Sequence, residues 1–148
     1  MNLDRLILTG RIQAVQGALS SDAIMAGLAE GTYGSSGSML LTTGKIGAGE
    51  PCIQAAETLK RNDVVGIIAP AFSWPFFRLC LNIGLPPLTL WEAGEIRTGD
   101  RLRIDVNSRV VKSMSAGTRY PIRDLPDLYI GILAYGGMEG YVRARLAE

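Results

Sequence analysis

Residues 44–52 read Gly-Lys-Ile-Gly-Ala-Gly-Glu-Pro-Cys and hold the densest candidate chemistry in the chain. Glycines let a backbone approach a ligand closely. A helix opening at Pro51 would aim free N–H groups and the positive end of its dipole at that ligand. Lys45, Gly47, Ala48 and Gly49 are therefore candidate binding residues, with Lys45 adding a positive charge. Glu50 sits where a bound carboxylate or phosphate would go and would repel it, which counts against an anion site. Cys52 has two readings. At a helix start it is a thiolate favoured by the dipole. More commonly such a cysteine is a small buried hydrophobe. The loop as a whole also has two readings, an anion cradle or a tight strand-to-helix connection that binds nothing. It is not a Walker A loop, because no Lys-Ser/Thr pair follows the glycines, and it lacks the third glycine of a dinucleotide fingerprint.

The rest of the composition narrows the chemistry. The chain has 148 residues, two cysteines and no histidine. No Ser-His-Asp triad, Cys-His dyad or His-ligated metal site can be built from it. Two cysteines cannot hold an iron–sulfur cluster, so metal chemistry has to come from a partner. Lys plus Arg is 15 and Asp plus Glu is 14, a balance that leaves no footprint for nucleic acid or an anionic membrane. No apolar run reaches membrane-spanning length, and no signal peptide is read at the N-terminus. The expected compartment is the cytoplasm.

The elements that must position the loop follow from pattern. Residues 6–15 read as a strand interrupted at Gly10, and residues 17–37 as a small, polar loop with one helical turn around residues 22–28. A short buried strand over 38–43 leads into the glycine loop, and a helix over 51–61 follows it. The run Val64 to Ala69 is apolar throughout, as in a strand buried on both faces. Ser73 opens a helix to about Asn82, closed by Gly84, and residues 88–90 form another strand. Residues 102–106 and 110–114 form a β-ribbon, 118–122 a further strand, and 127–135 and 138–146 two helices. The ribbon is basic through Arg101, Arg103, Arg109 and Lys112, which reads as a charged sheet edge that discourages aggregation. Trp74, Phe76, Phe77 and Leu79 read as core or subunit interface. Strands alternating with helices, then a ribbon, predict a layered α/β fold with a mixed sheet flanked by helices, in one domain over residues 1–148.

Three phrases bring a family into view. Residues 44–52 resemble a loop ending G-x-G-S-S-R. Residues 68–77, IAPAFSWPFF, and 82–88, NIGLPPL, resemble its phrases IAPSFA-x-x-F and N-G-L-P-P-L. Asp22-Ala23-Ile24 resembles the end of D-x-D-T-D-A-I, and residues 99–106, 117–120, 125–126 and 136–137 follow the family's tail in order. The chain is thus similar to the isopropylmalate isomerase small subunit and the matching domain of aconitase. The resemblance implies a β/β/α swivelling domain, a large partner subunit carrying a [4Fe-4S] cluster, and an active site between the two. It implies a hydro-lyase acting on a small hydroxy acid and inactive without its partner, with a serine base and an arginine clamp supplied by G-S-S-R.

The departures fall on those functional positions. Gly49-Glu50-Pro51-Cys52 stands where the family has G-S-S-R, so Glu50 takes the place of the base and Cys52 that of the arginine. Ser20 and Ser21 replace upstream aspartates and leave Asp22; all three are kept as candidate substrate-binding residues. No arginine occurs between Arg11 and Arg61. Two functions remain open. One is a hydro-lyase subunit with altered chemistry, whose substrate presents a less anionic end. The other is a non-catalytic scaffold or small-ligand-binding partner protein.

Overall fold

Leu8, Gly10 and Ile12 are buried while Ile7, Thr9 and Arg11 are exposed, so the first strand, β1 (Ile7–Val15), starts with one dry face and one wet face. The computed structural model describes residues 6–33 and 35–147. Six further strands follow: β2 (Ser38–Thr42), β3 (Gly66–Ala69), β4 (Pro87–Thr89), β5 (Arg101–Asp105), β6 (Val110–Ser113) and β7 (Arg119–Pro121). The helices are α1 (Ser21–Glu30), α2 (Cys52–Arg61), α3 (Trp74–Ile83), α4 (Asp127–Ala134) and α5 (Met138–Leu146). All seven strands form one sheet in the order β4-β3-β2-β1-β5-β6-β7. β1 to β4 run parallel, and α1, α2 and α3 make the crossovers between them. β5, β6 and β7 continue from β1 antiparallel.

All four residues of β3 are buried, as the apolar run predicts for a strand covered on both faces. One core cluster joins Leu40, Ile67, Ala55, Leu59, Phe76 and Cys80. The other joins Leu41, Ile68, Phe77, Leu81, Ile130 and Leu133 on the opposite side of the sheet. Neighbouring β-residues and the adjacent pair Phe76 and Phe77 thus serve different cores. Each fully buried Ile or Leu contributes roughly 1.5–3 kcal/mol against leaving it in water.

Two expectations need correction. Residues 17–37 are not mainly loop: Ser21–Glu30 is a full helix. Ser20 stands at its N-cap, with Oγ accepting from the Ala23 N–H at 3.2 Å, and Gly31 closes it in a left-handed conformation. Ser20 followed by Ile24, Met25 and Leu28 was the available signal, masked by glycine and serine on either side. The basic ribbon is also not a sheet edge. β5 lies between β1 and β6, and the edge is the three-residue β7. Arg109 departs from its neighbours: its Nε donates to the Leu125 carbonyl at 2.8 Å, and its guanidinium pairs with Asp127 at 2.6 Å.

Candidate functional site

The chain beyond β1, β2 and β3 stays in parallel register for one more step. Leu19 bridges Ile46, and Ile46 bridges Phe72. α1, α2 and α3 start within a few residues of these bridges, so three helix N-termini gather at the carboxyl edge of the parallel strands. In open α/β sheets that edge is where ligands bind. The glycine loop lies in the middle of it, beside residues 20–22, so the fold unites the two segments read as binding residues.

The bonds between those segments are structural. The Ser21 N–H donates to the Ala48 carbonyl at 2.7 Å, and the Gly47 N–H donates to the Leu19 carbonyl at 2.8 Å. Ser21 is fully buried, and its Oγ donates to the Gly47 carbonyl at 2.8 Å. Ser20 is occupied as a cap. Gly47 has φ +94°, and a Cβ there would overlap the Phe76 ring. Ser20, Ser21 and Gly47 thus hold the loop in shape; the Ser21 hydroxyl and the Gly47 N–H and carbonyl are engaged within the chain, and exposed Ser20 accepts one bond as a cap. The Lys45 side chain and Ala48, Gly49, Glu50 and Asp22 are exposed at the rim. Pro51 stands at the N-cap of α2 and offers no side-chain acceptor, which leaves the first turn of that helix open.

Cys52 is half-buried and packs against the core cluster that contains Cys80. It opens onto a cleft of about 590 Å³ lined also by Ile53, Trp74, Arg78, Leu128 and Met138. Arg78 was not singled out by the sequence reading. It lies outside the arginine-free window, and the packing of α2 on α3 brings it to the same cleft as Cys52. Trp74, read as core or interface, is exposed in that cleft, whereas Phe76 and Phe77 are buried. Burial pushes the Cys80 thiol far up from its ordinary pKa, and nearby Cys52 adds to the shift. Among the described residues no group of three or more His, Cys, Asp or Glu side chains could hold a metal ion. One buried and one half-buried thiol do not fit a [4Fe-4S] cluster, which takes four ligands.

Known proteins decide the family. The chain is 32% identical over 111 residues to the 3-isopropylmalate dehydratase small subunit of Caldanaerobacter subterraneus, a stretch covering 74% of this chain and 69% of that protein. It is 33% identical over 113 residues to the Heliobacterium modesticaldum protein of the same name, covering 76% and 68%. This chain belongs to the 3-isopropylmalate dehydratase small-subunit family. A further relative, 3-isopropylmalate dehydratase small subunit 1 of Thermotoga maritima, is 32% identical over 107 residues, covering 72% of this chain and 64% of that protein. The matched stretch thus spans about two thirds of the length of these relatives. The crystal structure of 3-isopropylmalate dehydratase from Methanocaldococcus jannaschii shares the fold, with a TM-score of 0.84 at 24% identity over 95% of this chain and 96% of that one. It bears out the swivelling-domain α/β architecture. No family model matches the chain. Within the dehydratase small-subunit family frame, Glu50 and Cys52 stand at the open rim and the cleft mouth. No helix among the described residues is long and apolar enough to cross a membrane.

Proposed function

We propose that this chain is the small subunit of an aconitase-type hydro-lyase and completes an active site on a large, cluster-bearing partner subunit. The observation that carries this reading is the placement of the glycine loop and the uncapped start of α2, open at the carboxyl edge of the parallel strands, in a chain of this family. The [4Fe-4S] cluster belongs to the partner in this reading, since the residues here do not fit it. Residues 1–148 act as one swivelling unit in the cytoplasm, with no nucleic-acid or membrane partner. Glu50 is the candidate base. It is exposed in the chain alone, so the water exclusion that base chemistry needs is left to the partner's surface.

The substrate is a small hydroxy acid that presents a less anionic end to this subunit: an amide, an amine, a hydroxyl or an alkyl group. Glu50 adds negative charge at the rim, and Cys52 removes the guanidinium that would match a carboxylate bidentately. Losing one such charge-assisted bond weakens binding by roughly 1.5–3 kcal/mol. Among the described residues Arg78 is the one arginine lining the Cys52 cleft, and it is the residue able to reverse this preference.

A specific observation favours a second reading, a non-catalytic scaffold or ligand-binding partner. Ser21 is buried with its hydroxyl donating to the Gly47 carbonyl, so it does not replace the lost serine base, and Ser20 serves as the cap of α1. One experiment separates the two readings. The chain is co-expressed with the large subunit of its native host, and the complex is assayed on isopropylmalate, citrate, and mono-acid and amino-acid analogues. The chain alone is expected to be inactive, and turnover by it would overturn the reading. Glu50→Gln is expected to lower kcat by ~100-fold or more with assembly intact. An unchanged kcat moves the case to the scaffold. Ordinary efficiency on isopropylmalate or citrate defeats the substrate preference, and Arg78→Gln then shows whether Arg78 supplies the grip.

A further inference from the structure

Strand register gathers charge that the sequence scatters. Arg11 lies opposite Arg101, Arg103 lies opposite Lys112, and Lys112 lies opposite Arg119. Directly opposed residues in an antiparallel ladder share a face. Their neighbours Leu102, Ile104, Val111 and Tyr120 point into the core, so these five cations share the other face. Asp105 is the one carboxylate among the β5 and β6 residues of that face, and its oxygens accept from the Ser108 N–H and Oγ. Among the described residues none of the five cations forms an ion pair. Like charges placed opposite one another destabilise a sheet. Edge protection does not account for the arrangement, because β5 and β6 are interior strands.

We propose that this open face of β1, β5, β6 and β7 is a docking surface for an acidic polypeptide segment. The same face is covered by helices over β2 and β3, where Leu40 and Ile67 join the helix-packed core. The cover ends at β1, where Gln13 Nε2 donates to the Thr32 carbonyl just past α1. Beyond it the cations form the floor of a shelf, with a recess of about 340 Å³ between Arg103, Lys112, Met114 and Arg119 that Asp105 also lines. Alternate residues of an extended chain repeat at about 6.8 Å, as Arg101 and Arg103 do along β5. Carboxylates on alternate residues of a strand laid along β5 therefore meet Arg101 and Arg103 in turn, stopping short of Asp105, and four of the five cations are arginines, the better match to carboxylates. The uncharged residues Ile7, Thr9 and Val110 supply no aromatic ring for base stacking, which favours a polypeptide over single-stranded nucleic acid.

The test measures binding of the whole chain to a labelled peptide of about twenty residues alternating Glu and Ser, and to an oligothymidine of matched length, by fluorescence anisotropy at low and physiological salt. The variant R101Q/R103Q/K112Q is compared with R61Q/R143Q/R145Q, which removes as much charge elsewhere. The peptide is expected to bind and to lose about tenfold or more in affinity in the first variant, with little change in the second. The first variant is expected to melt no lower than the parent, since it removes repulsion. If it does not fold, Arg103→Gln alone supplies the comparison. Absence of peptide binding, an equal loss in both variants, or tighter binding of the oligothymidine overturns the proposal.

Discussion

Replacing Ser21 by alanine tests the account of how the glycine loop is held. Ser21 is fully buried, and its hydroxyl donates at 2.8 Å to the carbonyl of Gly47, which is buried too. The variant removes the donor and strands the acceptor. A typical intramolecular hydrogen bond contributes about 0.5–1.5 kcal/mol net, and a buried carbonyl left without a partner costs about 1–3 kcal/mol. The backbone bond from the Ser21 N–H to Ala48 survives the change, which limits how far the loop can relax towards water. The expected loss is therefore about 1–3 kcal/mol. In a chain of this size that lowers Tm by roughly 2–12 °C. The assay is paired thermal and urea unfolding of parent and variant. The urea midpoint should fall while the slope m stays constant, as for a local loss in an otherwise unchanged fold. A loss below about 0.5 kcal/mol would refute the reasoning, because it would mean that the Gly47 carbonyl is solvated or finds another donor.

Gly47→Ala should be costly, since it forces a side chain onto φ +94° and into the Phe76 ring. Left-handed strain and overpacking together come to about 2–5 kcal/mol, read as a large Tm drop or loss of soluble protein, and an unchanged Tm would contradict it. Cys80 and Tyr33 both have pKa values raised chiefly by burial, with Cys52 and Glu30 as the respective second causes. The unfolded chain therefore releases these protons first as pH rises. The stability they contribute is complete below the ordinary thiol value of 9.0, and it should fall as pH climbs above it. Cys80→Ala should flatten the first part of that decline in urea titrations between pH 8 and 10.5. Native-state alkylation at pH 8 should modify half-buried Cys52 well before Cys80, and equal rates by peptide mapping would show that Cys80 is not enclosed.

Some of the fold was legible because its signals are local. The run Val64 to Ala69 announces a strand hidden on both faces, and Gly66–Ala69 is buried throughout. Pro75 and Gly84 bracket α3 as their backbone preferences require. The alternation of strands and helices followed by a ribbon carried the mixed sheet, and the phrases around Gly44, Ile68 and Asn82 carried the family. α1 was read too short because small residues around it weakened a helical pattern that its cap and its packing sustain.

Of the candidate site, the sequence supplied residue types: Glu50 and Cys52 where the family has serine and arginine, and serines upstream. It could not say which of them are free. Ser21 and Gly47 are 26 residues apart, and only the parallel register of Leu19 with Ile46 makes them partners. Arg78 reaches the Cys52 cleft because α2 packs on α3, and Arg11 joins Arg119 on one face because three antiparallel ladders intervene. Periodicity and caps are written within a few residues of the element they make. Strand pairing and helix packing depend on which distant surfaces bury each other, and that choice belongs to the folded chain as a whole.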